Sequence, residues 1–244
     1  MISKNPLDYF KCSFYINRHD QKKRRRYCEK VFKEMHIPAV RFQAVNGEDV
    51  SEEFFKAFKP NFTEKRTDKQ IRNCAGCYQS HVLVMFEGLA AVRQHRSEAL
   101  AIFEDDVEFR PDFWKLFSEW IKEVPEDWEV LSLGCLHKRK PDKVSEHVRR
   151  SYRHGSAHAY LIKAKALPII FDIVKSNLLS ADMVMKIVSK ERGTVYAFSP
   201  ALCGQKPFIS SISGAMCRAW RREYYLDADG KNYNYYHLKG KAND

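Results

Sequence analysis

The residues most able to do chemistry are three adjacent carboxylates, Glu104, Asp105 and Asp106, which directly follow the apolar run ALAIF at residues 99–103. This run predicts a buried strand, and open α/β sheets bind ligands at the carboxyl ends of their strands. Desolvating three neighbouring carboxylates is costly unless a cation compensates them. The triplet therefore indicates a site where a hard ion, Mg²⁺ or Mn²⁺, binds together with a substrate's phosphate oxygens.

The backbone conformation decides which of the three acids act together. In an extended segment, Glu104 and Asp106 lie on one face and Asp105 on the other, which is the arrangement we expect here. The alternative is a solvated turn that leads to Pro111. A rival acidic pair, Asp227 and Asp229, begins like a calcium loop, but no further ligands follow and its sequence is typical of a turn.

A second group of potential ligands is Cys74, Cys77 and His81, which lie at positions i, i+3 and i+7 of a predicted helix. Such a helix places them on one face, but a zinc site needs a fourth ligand that the neighbouring sequence does not offer. His81 alternatively contacts a substrate or is an ordinary half-buried residue of the helix.

The basic segment at residues 22–26 has three interpretations. It is the solvated face of an amphipathic helix, a phosphate-binding group next to the first predicted strand, or a nucleic-acid or nuclear-localisation patch. The sequence contains no glycine-rich dinucleotide motif, phosphate-binding loop or Gly-x-Ser-x-Gly elbow. These absences argue against dehydrogenases, P-loop nucleotide hydrolases and serine hydrolases.

The hydrophobic pattern predicts the elements that position these groups. Strands are predicted at residues 10–16, 39–45, 99–103, 128–133, 157–162 and 194–198. Helices are predicted at residues 20–36, from 51, 78–92, from 111, 164–174 and 183–188. A polar loop is predicted at 60–72, and a basic loop or mobile flap at 138–154. This alternation indicates an α/β fold with helices on both faces of the sheet.

Composition limits the class of protein. The 244 residues are 44% hydrophobic and 30% charged, which predicts one globular domain, alone or with a small appendage. The net charge of +11 predicts a polyanionic partner: nucleic acid, an acidic lipid or a phosphorylated small molecule. No apolar run is long enough for a membrane span, and residues 1–11 do not resemble a secretory signal. We therefore expect no transmembrane segment. Seven cysteines are too few for a disulfide scaffold and leave one thiol unpaired, so we expect a reducing, cytoplasmic location.

Four ordered blocks carry a resemblance to glycosyltransferase family 25. Tyr15-Ile16-Asn17 with Lys23-Arg24-Arg25 resembles the family's opening strand, and Gln43-Ala44-Val45-Asn46-Gly47 resembles its Ala-Val-Asp/Asn-Gly turn. Gly76-Cys77-Tyr78-Gln79-Ser80-His81 and Ile102-Phe103-Glu104-Asp105-Asp106-Val107 match its Gly-Cys-x-x-Ser-His and Glu-Asp-Asp blocks. Two departures are Arg18-His19-Asp20 in place of Leu-Asp-Arg, and Glu104 rather than an aspartate as the first member of an acidic-x-acidic pair.

The resemblance implies a fold and a reaction. It implies a single GT-A-like domain over residues 1–206 with a mixed, mostly parallel sheet, and an extension of unknown role at 207–244. It further implies an inverting transfer of a hexose, galactose or glucose, from a UDP-sugar to a hydroxyl of a saccharide, glycoprotein or collagen-like acceptor. The implied cofactor is Mn²⁺ or Mg²⁺.

The same resemblance implies roles for individual residues. Asp106 with Glu104 would hold the metal. Asp182, in the pair Ala181-Asp182 that weakly resembles the family's Val-Asp motif, would be the catalytic base. The residues expected to bind the donor are Asn17, Arg24, Asn46, Ser80, His81 and Asp105.

Two other functions are compatible with the sequence. The first is an inactive module that binds a nucleotide sugar, although such modules lose the metal acids that this chain keeps. The second is a nucleic-acid-binding domain, which predicts affinity that falls steeply with salt. Aromatic residues that could stack on bases are not interleaved with the basic residues at 22–26, so nucleic acid is the less favoured partner.

Overall fold

Strands and helices alternate along the chain in the computed structural model, which describes residues 5–62, 65–137, 140–152, 154–210 and 212. The strands are β1 (Cys12–Asn17), β2 (Ala39–Gln43), β3 (Ala99–Glu104), β4 (Val107–Phe109), β5 (Val130–Ser132), β6 (Leu136–His137), β7 (Asp142–Lys143), β8 (Val148–Arg150), β9 (His154–Gly155), β10 (Ala159–Lys163), β11 (Val195–Phe198) and β12 (Cys203–Gln205). The helices are α1 (Lys22–Glu34), α2 (Glu52–Phe58), α3 (Asp68–Gln94), α4 (Phe113–Trp120), α5 (Leu167–Lys175) and α6 (Ala181–Arg192).

Eight strands form one mixed sheet in the order β2-β1-β3-β10-β5-β11-β8-β7. The strands β2, β1 and β3 run parallel, so their carboxyl ends meet at one edge of the sheet. The neighbouring β10 runs antiparallel to both β3 and β5, whereas β11 is parallel to β5. Short antiparallel pairs, β4 with β12 and β6 with β9, lie outside this sheet. The structure confirms the predicted α/β class.

The two faces of the sheet are covered by different helices, and β3 shows why. Its alternate residues Leu100 and Ile102 pack into the apolar cluster that contains α3, α5 and α6. The intervening Ala101 and Phe103 pack into a second cluster with α1 and α4. All four side chains are fully buried, and burial of a large apolar side chain such as Phe103 stabilises the fold by roughly 2 kcal/mol. Because β3 is anchored on both faces, its carboxyl end is fixed in position.

Helix α3 begins earlier than the sequence predicts. Thr67 and Gln70 form a capping box, so residues 68–72 belong to the helix rather than to the predicted loop. The hydrophobic pattern did not indicate the first turn because its residues are polar. The capping box of Thr67 and Gln70 fixes the start of the helix instead. Ser51 caps α2 as predicted, because its hydroxyl accepts a hydrogen bond of 3.2 Å from the Phe54 N–H.

The basic segment predicted as a loop at 138–154 contains two strands of the main sheet. Val148 of β8 is fully buried and pairs with Phe198 of β11, and β7 pairs with β8. Arg149 is also buried, because its guanidinium donates to the carbonyl groups of Ser145 and Glu146. Local pairing of the charged group allows a polar sequence to enter the sheet.

The structure also bears on the predictions about a membrane span, the cysteines and the C-terminal residues. Among the described residues, no helix combines the length and the apolar character that crossing a bilayer requires. The six cysteines in the described part of the chain are all free thiols, whereas Cys217 lies outside it. The acidic pair Asp227 and Asp229 and most of the predicted extension, residues 213–244, also lie outside the described residues.

Candidate active site

A cavity of about 200 Å³ lies at the carboxyl ends of β1 and β3. Its walls come from those strand ends, the segment after β2, one face of α3 and the chain that follows β12. This is the edge of the sheet at which α/β proteins bind ligands. The cavity brings together, from the predicted site residues, Arg24, Ser80, His81, Glu104, Asp105 and Asp106.

The acidic triplet lies in this cavity, but not in an extended conformation. Strand β3 ends at Glu104, and Asp105 and Asp106 form a turn before β4. The Asp106 carbonyl accepts a hydrogen bond of 2.7 Å from the Lys206 N–H, which holds the turn in place. The expectation that Asp105 lies on the opposite face is therefore wrong, because the turn directs all three carboxylates into one cavity.

Asp105 forms a buried ion pair with Arg24, the third residue of α1. The Asn17 amide donates a second hydrogen bond to Asp105 at 2.7 Å, and Arg41 donates to the Asn17 side-chain oxygen at 3.1 Å. Burial raises the pKa of Asp105, and the Arg24 guanidinium and the Asn17 amide counteract part of that rise. Both side-chain polar atoms of Asn17 are thus used within the protein, and Asn17 positions Asp105.

Asp106 has weaker compensation. Its two carboxylate oxygens each lie 3.3 Å from the Gln205 side-chain nitrogen, and Arg24 is 3.9 Å away. Asp106 is 4% exposed. Burial, with repulsion from the Glu104 charge, raises the pKa of Asp106 to about 8. A buried carboxylate in this state fits an additional cation, because protonation is otherwise the cheaper way to remove its charge.

Glu104 is linked to His81 and Tyr160. His81 Nε2 lies 3.4 Å from a Glu104 carboxylate oxygen, and His81 Nδ1 lies 2.8 Å from the Tyr160 hydroxyl. Desolvation alone would raise the pKa of Glu104, but the hydrogen bond and charge of His81 outweigh it and lower that pKa. The Glu104 side chain keeps 26% of its surface exposed, so this carboxylate faces the cavity while remaining anchored.

The turn after β2 forms another wall because it packs directly on α3. The Ser80 hydroxyl accepts from the Val45 N–H at 2.9 Å and donates to the Gly76 carbonyl at 2.7 Å. A Cβ atom at Gly76 would lie 2.7 Å from the Val45 carbonyl oxygen, so backbone contact requires glycine there. Asn46 is partly buried next to this contact, but it does not line the cavity, whereas Val45 and Gly47 do.

The chain after β12 closes one side of the cavity. The Ile209 carbonyl accepts a hydrogen bond of 2.8 Å from Arg24 Nη2, and the Arg24 guanidinium lies over the Phe208 ring. Ser210 and Ile212 line the cavity. Two residues that the sequence analysis assigned to an extension therefore line the cavity in the structure.

Some functional candidates were missed or lie outside the described side chains. Gln205 and Tyr160 contact the acids or their partner, and Arg18 lines the cavity. Arg18 could have been found from the sequence, because it directly follows the predicted first strand. Nothing in the sequence indicates the partners of Gln205 or Tyr160. Asp182 is in the first turn of α6, and its side chain lies outside the described part of the structure, so its role stays a prediction.

The model of glycosyltransferase family 25 (LPS biosynthesis protein) matches residues 10–151. This region contains the acidic triplet, Arg24 and the α3 face, but not Asp182 or Gln205. No curated protein matches the chain. Because the matched region covers more than half of the chain and contains the carboxylates that gather in the cavity, the chain belongs to glycosyltransferase family 25 and is a glycosyltransferase.

Proposed function

We propose that this glycosyltransferase moves a hexose, galactose or glucose, from a UDP-sugar to a hydroxyl group of a saccharide, glycoprotein or collagen-like acceptor. The transfer is a metal-dependent single displacement that inverts the anomeric centre, performed by a GT-A-type domain. The observation that carries this proposal is the buried Asp106 carboxylate beside Glu104 in the cavity, with Arg24 mainly engaged by Asp105. A cavity with excess negative charge fits a cation and a diphosphate together.

The carboxylates fit Mn²⁺ or Mg²⁺ by their donor chemistry and by their electrostatics. Asp106, with Glu104, would hold the ion, since hard divalent cations take carboxylate oxygens. The raised pKa of Asp106, about 8, reflects a desolvated charge that such a cation would stabilise in the ionised form. When bound, the ion supplies positive charge beside the leaving diphosphate.

Two arginines support binding of the diphosphate. Arg18 lines the cavity, and its guanidinium is paired with Asp20 at 2.9 Å with partial exposure to solvent. Arg24 is the more buried of the two and holds Asp105 in place. A diphosphate would therefore draw mainly on Arg18, which can exchange its exposed partner, while Asp105 would contact the ribose or sugar hydroxyls.

The proposed chemistry needs a base for the acceptor. The acceptor oxygen forms a bond to the anomeric carbon from the face opposite the leaving group, and the bond to the diphosphate oxygen breaks with its electron pair. The hydroxyl proton passes to a carboxylate, which we assign to Asp182. The support is the family resemblance and the position of Asp182 at the start of α6, next to Ala181 in the core that includes Tyr160.

The metal role is tested with Asp106→Asn and a matched control. The control is Asp112→Asn, which removes the same charge from a half-exposed residue paired with Arg110. Release of UDP from several UDP-sugars is measured with Mn²⁺ and acceptor. We expect turnover to fall by at least about 100-fold in Asp106→Asn and to stay near wild type in the control. Full turnover in Asp106→Asn would contradict the metal role.

The donor class and the base are tested separately. A thermal-shift panel of UDP, GDP and CMP sugars, with and without Mn²⁺, should show the largest shift for a UDP-sugar with the metal. Asp182→Asn should reduce the turnover rate by a larger factor than it reduces the affinity for the donor. An unchanged turnover rate would refute the assignment of Asp182 as the base. Donor binding without turnover on any acceptor would instead indicate an inactive module.

A further inference from the structure

One wall of the cavity carries three different metal-ligating groups. Cys77 and His81 lie one helical turn apart on the same face of α3, and Glu104 ends β3. The thiol sulfur, an imidazole nitrogen and a carboxylate oxygen all lie within 4.8 Å of one another. All three residues line the cavity, so a ligand could reach them from it. The sequence showed the two residues on α3, but not the carboxylate that the fold adds.

The partner of the imidazole allows His81 to bind a metal. Its Nδ1 lies 2.8 Å from the Tyr160 hydroxyl, which can donate or accept a hydrogen bond. In the metal-free protein Nε2 is the nitrogen that faces Glu104 and donates to it. When zinc binds, the imidazole carries its proton on Nδ1, which donates to the Tyr160 hydroxyl, and the Nε2 lone pair faces the metal. Metal-binding histidines are commonly oriented by such a hydrogen bond from the second nitrogen.

The donor set discriminates between metal ions. A thiolate and an imidazole favour Zn²⁺ over Mg²⁺ or Mn²⁺, which prefer oxygen ligands. Three protein ligands with a fourth position open to the cavity is the arrangement of zinc sites that bind water or substrate. Ligands around tetrahedral zinc lie about 3.5 Å apart, so the cluster must contract by roughly 1 Å. Cys77 and Glu104 are only partly buried, which leaves their side chains room for this movement.

We infer that Cys77, His81 and Glu104 form a zinc site in the wall of the cavity, distinct in its chemistry from the oxygen-ligand site centred on Asp106. Binding of Zn²⁺ replaces the proton of the Cys77 thiol, which is released to solvent, while His81 binds as the neutral imidazole. Zinc binding itself does not depend on the proposed function. One consequence does: because Glu104 belongs to both sites, bound Zn²⁺ withdraws a ligand from Mn²⁺.

The test uses the full chain freed of metal by chelation, with no nucleotide or Mn²⁺ present. Zn²⁺ affinity is measured by competition with a chromophoric chelator, and Co²⁺ serves as a spectroscopic substitute. We expect one zinc at this site and, with Co²⁺, a thiolate-to-metal charge-transfer band. Cys77→Ser should abolish the band and weaken zinc binding by more than about 100-fold, a larger effect than loss of a supporting hydrogen bond.

Two further variants separate a site from a nonspecific effect. Cys74→Ser makes the same change one turn earlier on α3, at a thiol outside the cluster, and should preserve both the affinity and the band. Tyr160→Phe should keep the band but weaken zinc binding by about 10- to 100-fold, because His81 loses its orienting partner. Thermal unfolding verifies that each variant is folded.

Two results would overturn the inference. One is wild-type zinc affinity in Cys77→Ser, which would place any bound zinc elsewhere in the chain. The other is the absence of zinc binding, or of the charge-transfer band, in the folded wild-type protein. Neither result bears on transfer of a hexose, because that reaction is assayed separately with Mn²⁺ and a UDP-sugar. Loss of turnover in Asp106→Asn would likewise leave the zinc result unchanged.

Discussion

Removal of Arg24 should destabilise the protein more than removal of its partner Asp105. The two side chains form an ion pair and are only 9% and 10% exposed. Arg24 also lies 3.9 Å from Asp106 and donates to the Ile209 carbonyl at 2.8 Å. Arg24→Met therefore leaves a group of carboxylates without this cation. In Asp105→Asn the guanidinium keeps Asp106 and the Ile209 carbonyl as partners.

The expected magnitudes follow from this asymmetry. Loss of one partner of a buried pair costs about 3–5 kcal/mol, and Arg24→Met should fall in that range. Asp105→Asn should cost about 1–3 kcal/mol, because the remaining charge keeps other partners. The double variant should cost less than the sum of the two single variants by about 1–3 kcal/mol, since the residues are in direct contact.

The assay is urea unfolding of the metal-free protein near neutral pH, with an exposed pair as control. Arg25 and Glu29 lie on the same helix, and their side chains are about half exposed. Arg25→Met should leave the unfolding free energy close to that of the wild type, because an exposed ion pair contributes little. Additive effects of Arg24→Met and Asp105→Asn, or a cost of Arg24→Met no larger than that of Arg25→Met, would refute the reasoning.

The pH dependence offers an independent check on the same variant. The pKa of Asp106 in the folded protein is raised to about 8, above its ordinary value of 3.8. Between these values the folded state binds a proton that the unfolded state does not, so this group favours folding as the pH falls below about 8. The Arg24 charge lowers the pKa of Asp106, so loss of Arg24 raises that pKa further, and the deficit of Arg24→Met should shrink as the pH falls toward about 8. A deficit that grows would contradict this account.

Three other predictions concern the supporting structure. Burial lowers the pKa of His158 from 6.5 to about 4, so the wild type should lose about 3 kcal/mol of unfolding free energy from this residue as the pH falls across that range. His158→Gln should flatten this dependence, and an equal slope in urea unfolding at several pH values would refute the assignment. Gly134→Ala should cost about 3 kcal/mol, because its Cβ would lie 1.9 Å from the Cys203 carbonyl oxygen. At Gly193 an added Cβ would meet no other atom, and only the left-handed backbone, with φ of 66°, disfavours alanine, so Gly193→Ala should cost about 1 kcal/mol. Equal losses of stability for the two glycine variants in thermal unfolding would contradict the steric argument. Thr67→Ala removes the cap of α3 and should cost about 1 kcal/mol in the same measurement, whereas no change would show that the capping box is dispensable.

The parts of the fold that the sequence predicts are those governed by local pattern. The run before Glu104 is apolar at every position because β3 is covered on both faces. The 3.6-residue period marked α3, although its polar first turn did not follow the pattern. The strand β8 was missed because Arg149 is buried with backbone partners, so a charged residue occupies a position that pattern analysis reserves for apolar ones.

The contacts within the site could not be predicted in the same way. Arg24 and Asp105 are 81 positions apart, and Gln205 and Asp106 are 99 apart. Such pairs depend on which strand ends and helix faces come together, and no local period encodes that. The turn at Asp105 and Asp106 was not predicted either. It places in one cavity three carboxylates that an extended chain would have separated.

The origin of the cavity walls also bears on when the protein acquires its site during synthesis. Ile16 comes from the first strand and Arg18 directly follows it, whereas Gln205, Ser210 and Ile212 come from nearly two hundred positions later. A nascent chain that ends after β11 contains the sheet-forming strands and the acidic triplet but lacks these last contributors. Since domains generally fold as units during translation, the ribosome must deliver the chain at least through Ile212 before the pocket is complete.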